Sequence, residues 1–134
     1  MLIIYWSGTG NTEIMAKAIA EAGEGKLLHV SEATIEDVKS TEKLALGCPA
    51  MGAEVLEESE FEPFIEEIEE HLKGKKVVLF GSYGWGNGEW MEDFETRIKN
   101  AGAELIEKGL IINEAPDKEG INKCHELGIN LKNA

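Results

Sequence analysis

Three short segments carry the residues that could do chemistry. The first, Ser7-Gly8-Thr9-Gly10-Asn11-Thr12, sets two glycines among four hydrogen-bonding side chains, between an apolar run and the start of a helical pattern. Glycines let the backbone come close to a ligand, N–H groups at a helix N-terminus point outward, and the helix dipole favours an anion. The segment therefore reads as a phosphate cradle. A dinucleotide fingerprint would need a third glycine where Glu13 stands, and a Walker loop would need Gly-Lys-Ser/Thr, whereas the first lysine is Lys17. Neutral donors without magnesium or a cation suit one terminal phosphate monoester. The alternative is a plain turn with a Thr cap, but four hydroxyl or amide residues in six exceed what a cap requires.

The second segment, Tyr83-Gly84-Trp85-Gly86-Asn87-Gly88, interleaves glycine with two aromatic rings just after a strongly apolar run. A tryptophan flanked by glycines has few local neighbours, so a planar aromatic ligand can stack on it while the glycine N–H groups bond its edge. The alternative places Trp85 back on the core. The third segment, Pro49-Ala50-Met51-Gly52-Ala53-Glu54, is a turn with a polarizable thioether at its tip. Met51 could cover a second face of the same ligand, and Glu54 could accept from a ring N–H.

The elements that must position these loops follow from hydrophobic periodicity. Leu2 to Trp6, Leu27 to Val30, Leu44 to Cys48 and Val77 to Phe80 are short apolar runs, as expected of strands buried on both faces. Leu105-Ile106 and Leu110-Ile111-Ile112 read as one interrupted fifth strand. Between them, helical spacing links Ile14, Met15, Ala18, Ile19 and Ala22, then Phe61, Phe64, Ile65, Ile68 and Leu72, then Trp90, Met91, Phe94, Ile98 and Ala101. A weaker pattern from Thr34 to Val38 gives one or two helical turns. A final helix follows Pro116, with Asp117 as its N-cap. Strict β-α alternation predicts an α/β domain, a doubly wound parallel sheet with helices on both faces and a ligand site beyond the carboxyl ends of its strands. All three segments reach that edge.

Length and composition bound the rest. The 134 residues make one domain, 1–134, with 13 basic against 26 acidic residues and a net charge of −13. Such acidity argues against a nucleic-acid or anionic-membrane partner and for a soluble one with a basic surface. Hydrophobic content of 43% is that of a folded chain. Two cysteines, Cys48 and Cys124, without C-x-x-C or metal-like spacing, exclude a disulfide scaffold. With no membrane-length apolar run and no signal-peptide pattern, a cytoplasmic protein is expected, a monomer by default. His29, His71 and His125 share no loop, and Trp90 reads as a packing anchor; Trp6 could shelter the first loop or enter the core.

Tyr5-Trp6-Ser7-Gly8-Thr9-Gly10-Asn11-Thr12-Glu13, Gly47-Cys48-Pro49-Ala50-Met51-Gly52 and Gly81-Ser82-Tyr83-Gly84-Trp85-Gly86 together resemble the flavodoxin family, in its short-chain, anaerobe-type form. The resemblance covers essentially the whole chain. It implies a five-stranded sheet in the order 2-1-3-4-5 and tightly but non-covalently bound FMN. It implies that Ser7, Thr9, Gly10, Asn11 and Thr12 bind the phosphate, with Ser82, and that Gly8 belongs to the same cofactor-binding loop. Met51 and Trp85 would flank the ring, and Glu54 would accept from the flavin N3–H. The Gly52 carbonyl would turn towards N5, Gly86 and nearby amides would reach the pyrimidine edge, and Asn113 would lie near the ribityl chain. Pro49 stands where some relatives have a serine, and the segment between Thr12 and Leu27 is shorter than in relatives.

The function so implied is electron transfer without a substrate of its own: a low-potential carrier working mainly through the semiquinone/hydroquinone couple. Partners would be redox proteins with basic docking surfaces, such as ferredoxin-type reductases. Glu54, Glu57, Glu58, Glu60 and Glu62, bordering the site, are expected to steer them, while Glu66 to Glu70 read as a solvated face. If Gly52 and Ala53 are the central pair of their turn, a carbonyl-up state requires positive φ at Ala53, which alanine resists by roughly 1 kcal/mol. Two other classes are less consistent with the sequence. An FMN-dependent quinone or nitro reductase would need a second pocket, and a phosphate-accepting signalling domain would need clustered aspartates where Trp6-Ser7 stands.

Overall fold

In the computed structural model, which describes residues 1–134, the predicted elements appear in the predicted order. They are β1 (Leu2–Tyr5), α1 (Asn11–Gly23), β2 (Lys26–His29), α2 (Ile35–Lys39), β3 (Lys43–Gly47), α3 (Phe61–Ile68), β4 (Lys76–Tyr83), α4 (Glu89–Asn100), β5 (Glu104–Leu105), β6 (Leu110–Asn113) and α5 (Lys118–Lys132). Every strand pair is parallel, and the order is β2-β1-β3-β4-β5. The interrupted fifth strand is two strands. β5 pairs with Lys76 and Val77 of β4, and β6 pairs with Phe80 to Tyr83 further along the same strand. Residues 106 to 109 stand opposite only Val78 and Leu79, so the surplus must loop out of the ladder and divide the strand.

Side chains that alternate along each strand divide the core into two layers. Ile3, Tyr5, Ala45, Val78 and Phe80 face α1 and α5, joining Met15, Ile19, Cys124, Leu127 and Leu131. Leu2, Ile4, Leu44, Leu46, Val77 and Leu79 face the opposite way, onto Phe61, Phe64, Ile65, Ile68, Phe94 and Ile98. The stripe expected as one helix from Phe61 to Leu72 is α3 followed by a 3-10 turn over Glu69–His71, with Leu72 still fully buried. Asp117 caps α5 as expected, its Oδ1 accepting from the Gly120 N–H at 2.8 Å.

The connection leaving β1 runs to β2 on one side, and the connection leaving β3 runs to β4 on the other. Loops after β1 and β3 therefore diverge at the carboxyl edge, where open α/β sheets bind ligands, a rule for which the flavodoxin-like strand order is itself a standing example. The loop after β4 closes the third side.

Candidate functional site

The loop after β1 is built by its own side chains. Ser7 Oγ accepts from the backbone N–H of Gly10 at 3.1 Å and of Glu13 at 3.2 Å, doing for α1 what an N-cap side chain does. Gly10 takes φ 100°, a left-handed conformation that turns the chain into α1 and offers no capping side chain of its own. Thr12 is buried, its Oγ1 3.0 Å from Ser82 Oγ and accepting from the Ser82 N–H at 3.3 Å, which ties the loop to β4. With these bonds made, the backbone N–H groups of Gly8, Thr9, Asn11 and Thr12 have no partner within the chain. Four free amides at a helix N-terminus, with no lysine or arginine among them, are a cradle for an anion.

The loop after β3 closes on itself. Met51 and Val55 exchange both backbone hydrogen bonds, at 2.9 and 3.0 Å, around Gly52, Ala53 and Glu54. Positive φ falls on Gly52 (45°) and Glu54 (54°) and not on Ala53. This differs from the expectation of a turn centred on Gly52 and Ala53 with positive φ at Ala53: with three residues between Met51 and Val55, the left-handed positions are Gly52 and Glu54. Its carboxylate is also engaged, Oε1 accepting from the Gly88 N–H at 3.1 Å across the loop after β4. A Cβ on Gly86 would lie 2.4 Å from that same oxygen and displace the carboxylate, and Gly86 holds a left-handed φ of 89°. Trp85 projects from this junction 67% exposed, which removes the alternative of a ring tucked onto the core.

All three loops converge on one cavity of about 340 Å³. Gly8, Thr9 and Asn11 line it from the first, Pro49, Ala50 and Met51 from the second, and Ser82, Tyr83 and Gly84 from the third. Ser7, Gly10 and Thr12 shape the first wall from behind. Gly52, Ala53, Glu54, Trp85 and Gly86, expected at the site, are not among the lining residues. Asn113 lies at the end of β6, its Nδ2 donating to the Tyr83 carbonyl at 3.4 Å. Two lining residues fell outside the expected set. Trp6 forms part of the wall, and Glu114 reaches the cavity from a left-handed conformation (φ 57°) fixed by its N–H donating to Tyr83 O at 2.7 Å. Glutamate is a poor left-handed residue, so sequence carried no signal for it.

The acidic stretch beside the site divides in function. Glu57 is buried; its carboxylate accepts from the N–H groups of Ser59, Glu60 and Phe61 at 2.8 to 2.9 Å and from the Ser59 hydroxyl, so it caps α3 and does not face a partner. Glu62 is ion-paired to Arg97 Nη2 at 2.5 Å, and Arg97 also binds Glu69. Glu58 and Glu60 remain exposed. Burial is the largest influence on the Glu57 carboxyl and raises its pKa, but the bonds from Ser59, Phe61 and Glu60 outweigh it and hold it below 4.5. A depressed folded-state pKa stabilises the fold fully above the unfolded value and loses that contribution as pH falls through the folded one. Glu57→Gln is accordingly expected to cost about 1–2 kcal/mol in urea unfolding at neutral pH. The gap from wild type should narrow in acid; equal stability at neutral pH would contradict the cap.

The residues set aside from chemistry sit as structural groups. Trp90 is buried and its Nε1 donates to the Cys48 carbonyl at 3.1 Å. Burial pushes the Cys48 and Cys124 thiols up to about 12, far from a reactive thiolate. His29 accepts from the Ser31 N–H at 3.1 Å and caps a 3-10 turn.

The site fits FMN on its own terms. The free amides and hydroxyls of the first loop would hold a terminal phosphate by neutral donors and the helix dipole, and the cavity joins that loop to the loops that carry Met51 and Trp85. Residues 3–128 match the family model described as Flavodoxin. A flavodoxin from Clostridium beijerinckii is 51% identical, over 99% of this chain and 99% of the relative. One from Megasphaera elsdenii is 47% identical, over 94% and 93%. The solution structure of two-electron reduced Megasphaera elsdenii flavodoxin superposes with a TM-score of 0.91, at 45% identity and full coverage of both chains.

Proposed function

The chain belongs to the flavodoxin family, and from that premise we propose which residues hold its cofactor and what they do to it. It is a small FMN-binding electron carrier and not an enzyme with substrate turnover; the quinone or nitro reductase reading is not favoured. No helix is long and apolar enough to cross a membrane. Bound FMN supplies reversible electron uptake at its ring.

The observation that carries the residue assignment is the set of four unpartnered amides in the loop after β1, three of whose residues, Gly8, Thr9 and Asn11, line the cavity shared by all three loops. Thr9 and Asn11, with the amides of residues 8, 9, 11 and 12, hold the phosphate, and Thr12 and Ser82 fix the wall behind it. Met51 and Trp85 flank the ring. Glu54 accepts from the N3–H in exchange for its bond to Gly88, and the Gly52 peptide faces N5. Asn113 lies beside the ribityl chain.

The same residues set the direction of the redox chemistry. Negative charge arriving at the ring meets no lysine or arginine in the loops, and Glu54 and the phosphate oppose it. A low potential follows, and the chain works at the reducing end of its range. The exposed Glu58 and Glu60 and a net charge of −13 steer partners with basic docking surfaces, in the cytoplasm, by a monomer. Flavin released from the purified chain is expected to be FMN at one per chain, with a midpoint for the last electron below that of free FMN in anaerobic titration. A midpoint at or above that of free FMN would contradict the charge argument. The rate of electron exchange with a ferredoxin-type reductase is expected to fall steeply as salt shortens the Debye length through about 10 Å. A salt-independent rate would remove the steering role.

A further inference from the structure

Trp6 stands between two of the loops. It lines the cavity with Gly8, Thr9 and Asn11, and its six-membered ring lies close enough to Gly8 that a Cβ there would come within 3.0 Å of Cη2 and 3.2 Å of Cζ3. At the other edge, its indole N–H donates to Glu60 Oε1 at 3.2 Å. Glu60 in turn is fixed by its own N–H donating to the capping carboxylate of Glu57 at 2.8 Å. The indole thus connects the start of α3 to the loop that carries the free amides.

We propose that Trp6, oriented by Glu60, is a positioning residue for the phosphate end of the FMN site: it holds Gly8 and the free amides in a conformation ready for the anion. This rests on the assignment of the glycine loop as the phosphate cradle. Glu60 can influence an anion in two ways, and they differ in sign. As a charge alone, the carboxylate repels phosphate, so its removal would tighten binding. As the acceptor that orients the indole, its loss frees the ring and loosens the loop, so binding would weaken.

Phosphate also separates this role from a general structural one. Riboflavin has the same ring and ribityl chain without the phosphate, so an effect on the cradle must alter FMN and leave riboflavin unchanged. The test measures FMN and riboflavin affinities of the full-length chain freed of flavin, for wild type, Glu60→Ala and Glu60→Gln, the last keeping an acceptor oxygen without the charge. Glu60→Ala is expected to weaken FMN about five- to tenfold, as the loss of one hydrogen bond to a charged group would, with riboflavin unchanged within about twofold. Glu60→Gln is expected to stay within about twofold of wild type or bind FMN more tightly. Trp6→Phe, which keeps an aromatic wall without the N–H, should behave as Glu60→Ala and add little to it in the double variant.

FMN affinity in Glu60→Ala that is unchanged or increased would overturn the proposal. So would an equal loss of FMN and riboflavin, which would make Glu60 a support of the fold alone. Wild type that binds FMN no better than riboflavin would instead overturn the phosphate-cradle assignment on which the proposal stands.

Discussion

Replacing Gly81 by alanine is expected to damage both the fold and the site more than any other single methyl group added near it. Gly81 lies in β4, paired with Ile111 of β6, and a Cβ built on it falls 2.1 Å from the Cys48 carbonyl oxygen and 3.2 Å from Trp90 Cζ2. The nearest obstacle is backbone, which cannot rotate away. The Cys48 carbonyl must shift, and it is also the acceptor for the Trp90 indole, so a buried hydrogen bond opens with it. Cys48 leads directly into Pro49, Ala50 and Met51, so the second wall of the cavity moves as the carbonyl does. Overpacking against backbone with loss of a buried bond is expected to cost about 3 kcal/mol or more, a large share of the stability of a small domain. Gly84→Ala is the control, because nothing lies within 4 Å of the added methyl and its backbone is not left-handed. Thermal unfolding should separate the two variants by more than about 10 °C. Indistinguishable midpoints would show that the approach of the loop to β4 is looser than described.

The second large effect is expected at Asn11, where stability and binding should move in opposite directions. Asn11 is the first residue of α1 and lines the cavity with one of the four free amides. Asn11→Asp is almost isosteric and places a carboxylate in the first turn, where the helix dipole favours it by about 0.3–1 kcal/mol. The flavin-free chain should therefore be as stable as wild type or slightly more so. The same carboxylate would stand beside the phosphate that the loop is proposed to hold. At about 4 Å, in the effective dielectric of a protein surface, like charges repel by about 4 kcal/mol, and part of that is lost to relaxation and salt. FMN affinity is expected to fall by about two to three orders of magnitude, with riboflavin affinity almost unchanged. Fluorescence titration with the two flavins measures both. FMN affinity in Asn11→Asp within about threefold of wild type would place the phosphate elsewhere.

What the sequence discloses and what it conceals divide along a physical line. The strands were legible because Leu2 to Tyr5 and Val77 to Phe80 are apolar on both faces, and only a sheet covered on both sides accommodates that. The first loop was legible because its glycines and hydroxyls are local, and helix N-termini bind anions by backbone geometry alone. The split of the last strand into β5 and β6 was visible as an interruption, though its pairing with different parts of β4 was not.

What could not be read is partner choice over distance. Glu57 is one of nine glutamates between Glu54 and Glu70, and nothing in its neighbours marks it as the one turned inward to cap α3. Expected to steer partners, it serves the fold instead. Glu62 is likewise taken up by Arg97, 35 residues away along the chain. The turn after Met51 was misjudged by one residue, because Gly52 satisfies either a two- or a three-residue loop and only the Met51–Val55 exchange decides between them. Thr12 and Ser82 each look like a free phosphate donor in sequence and prove to be bonded to one another in the fold. In each case the side chain's chemistry was legible but its partner was not.

The assignment of FMN to the cavity between the three loops is tested most directly by adding FMN to an isotope-labelled, flavin-free chain and following every backbone amide by NMR. The expected result is large shifts at residues 7–12, 49–54, 82–86 and 113–114, with those of Gly8, Thr9, Asn11 and Thr12 absent when riboflavin replaces FMN. Shifts centred on the groove between α3 and α4, or a glycine loop that responds equally to both flavins, would contradict it.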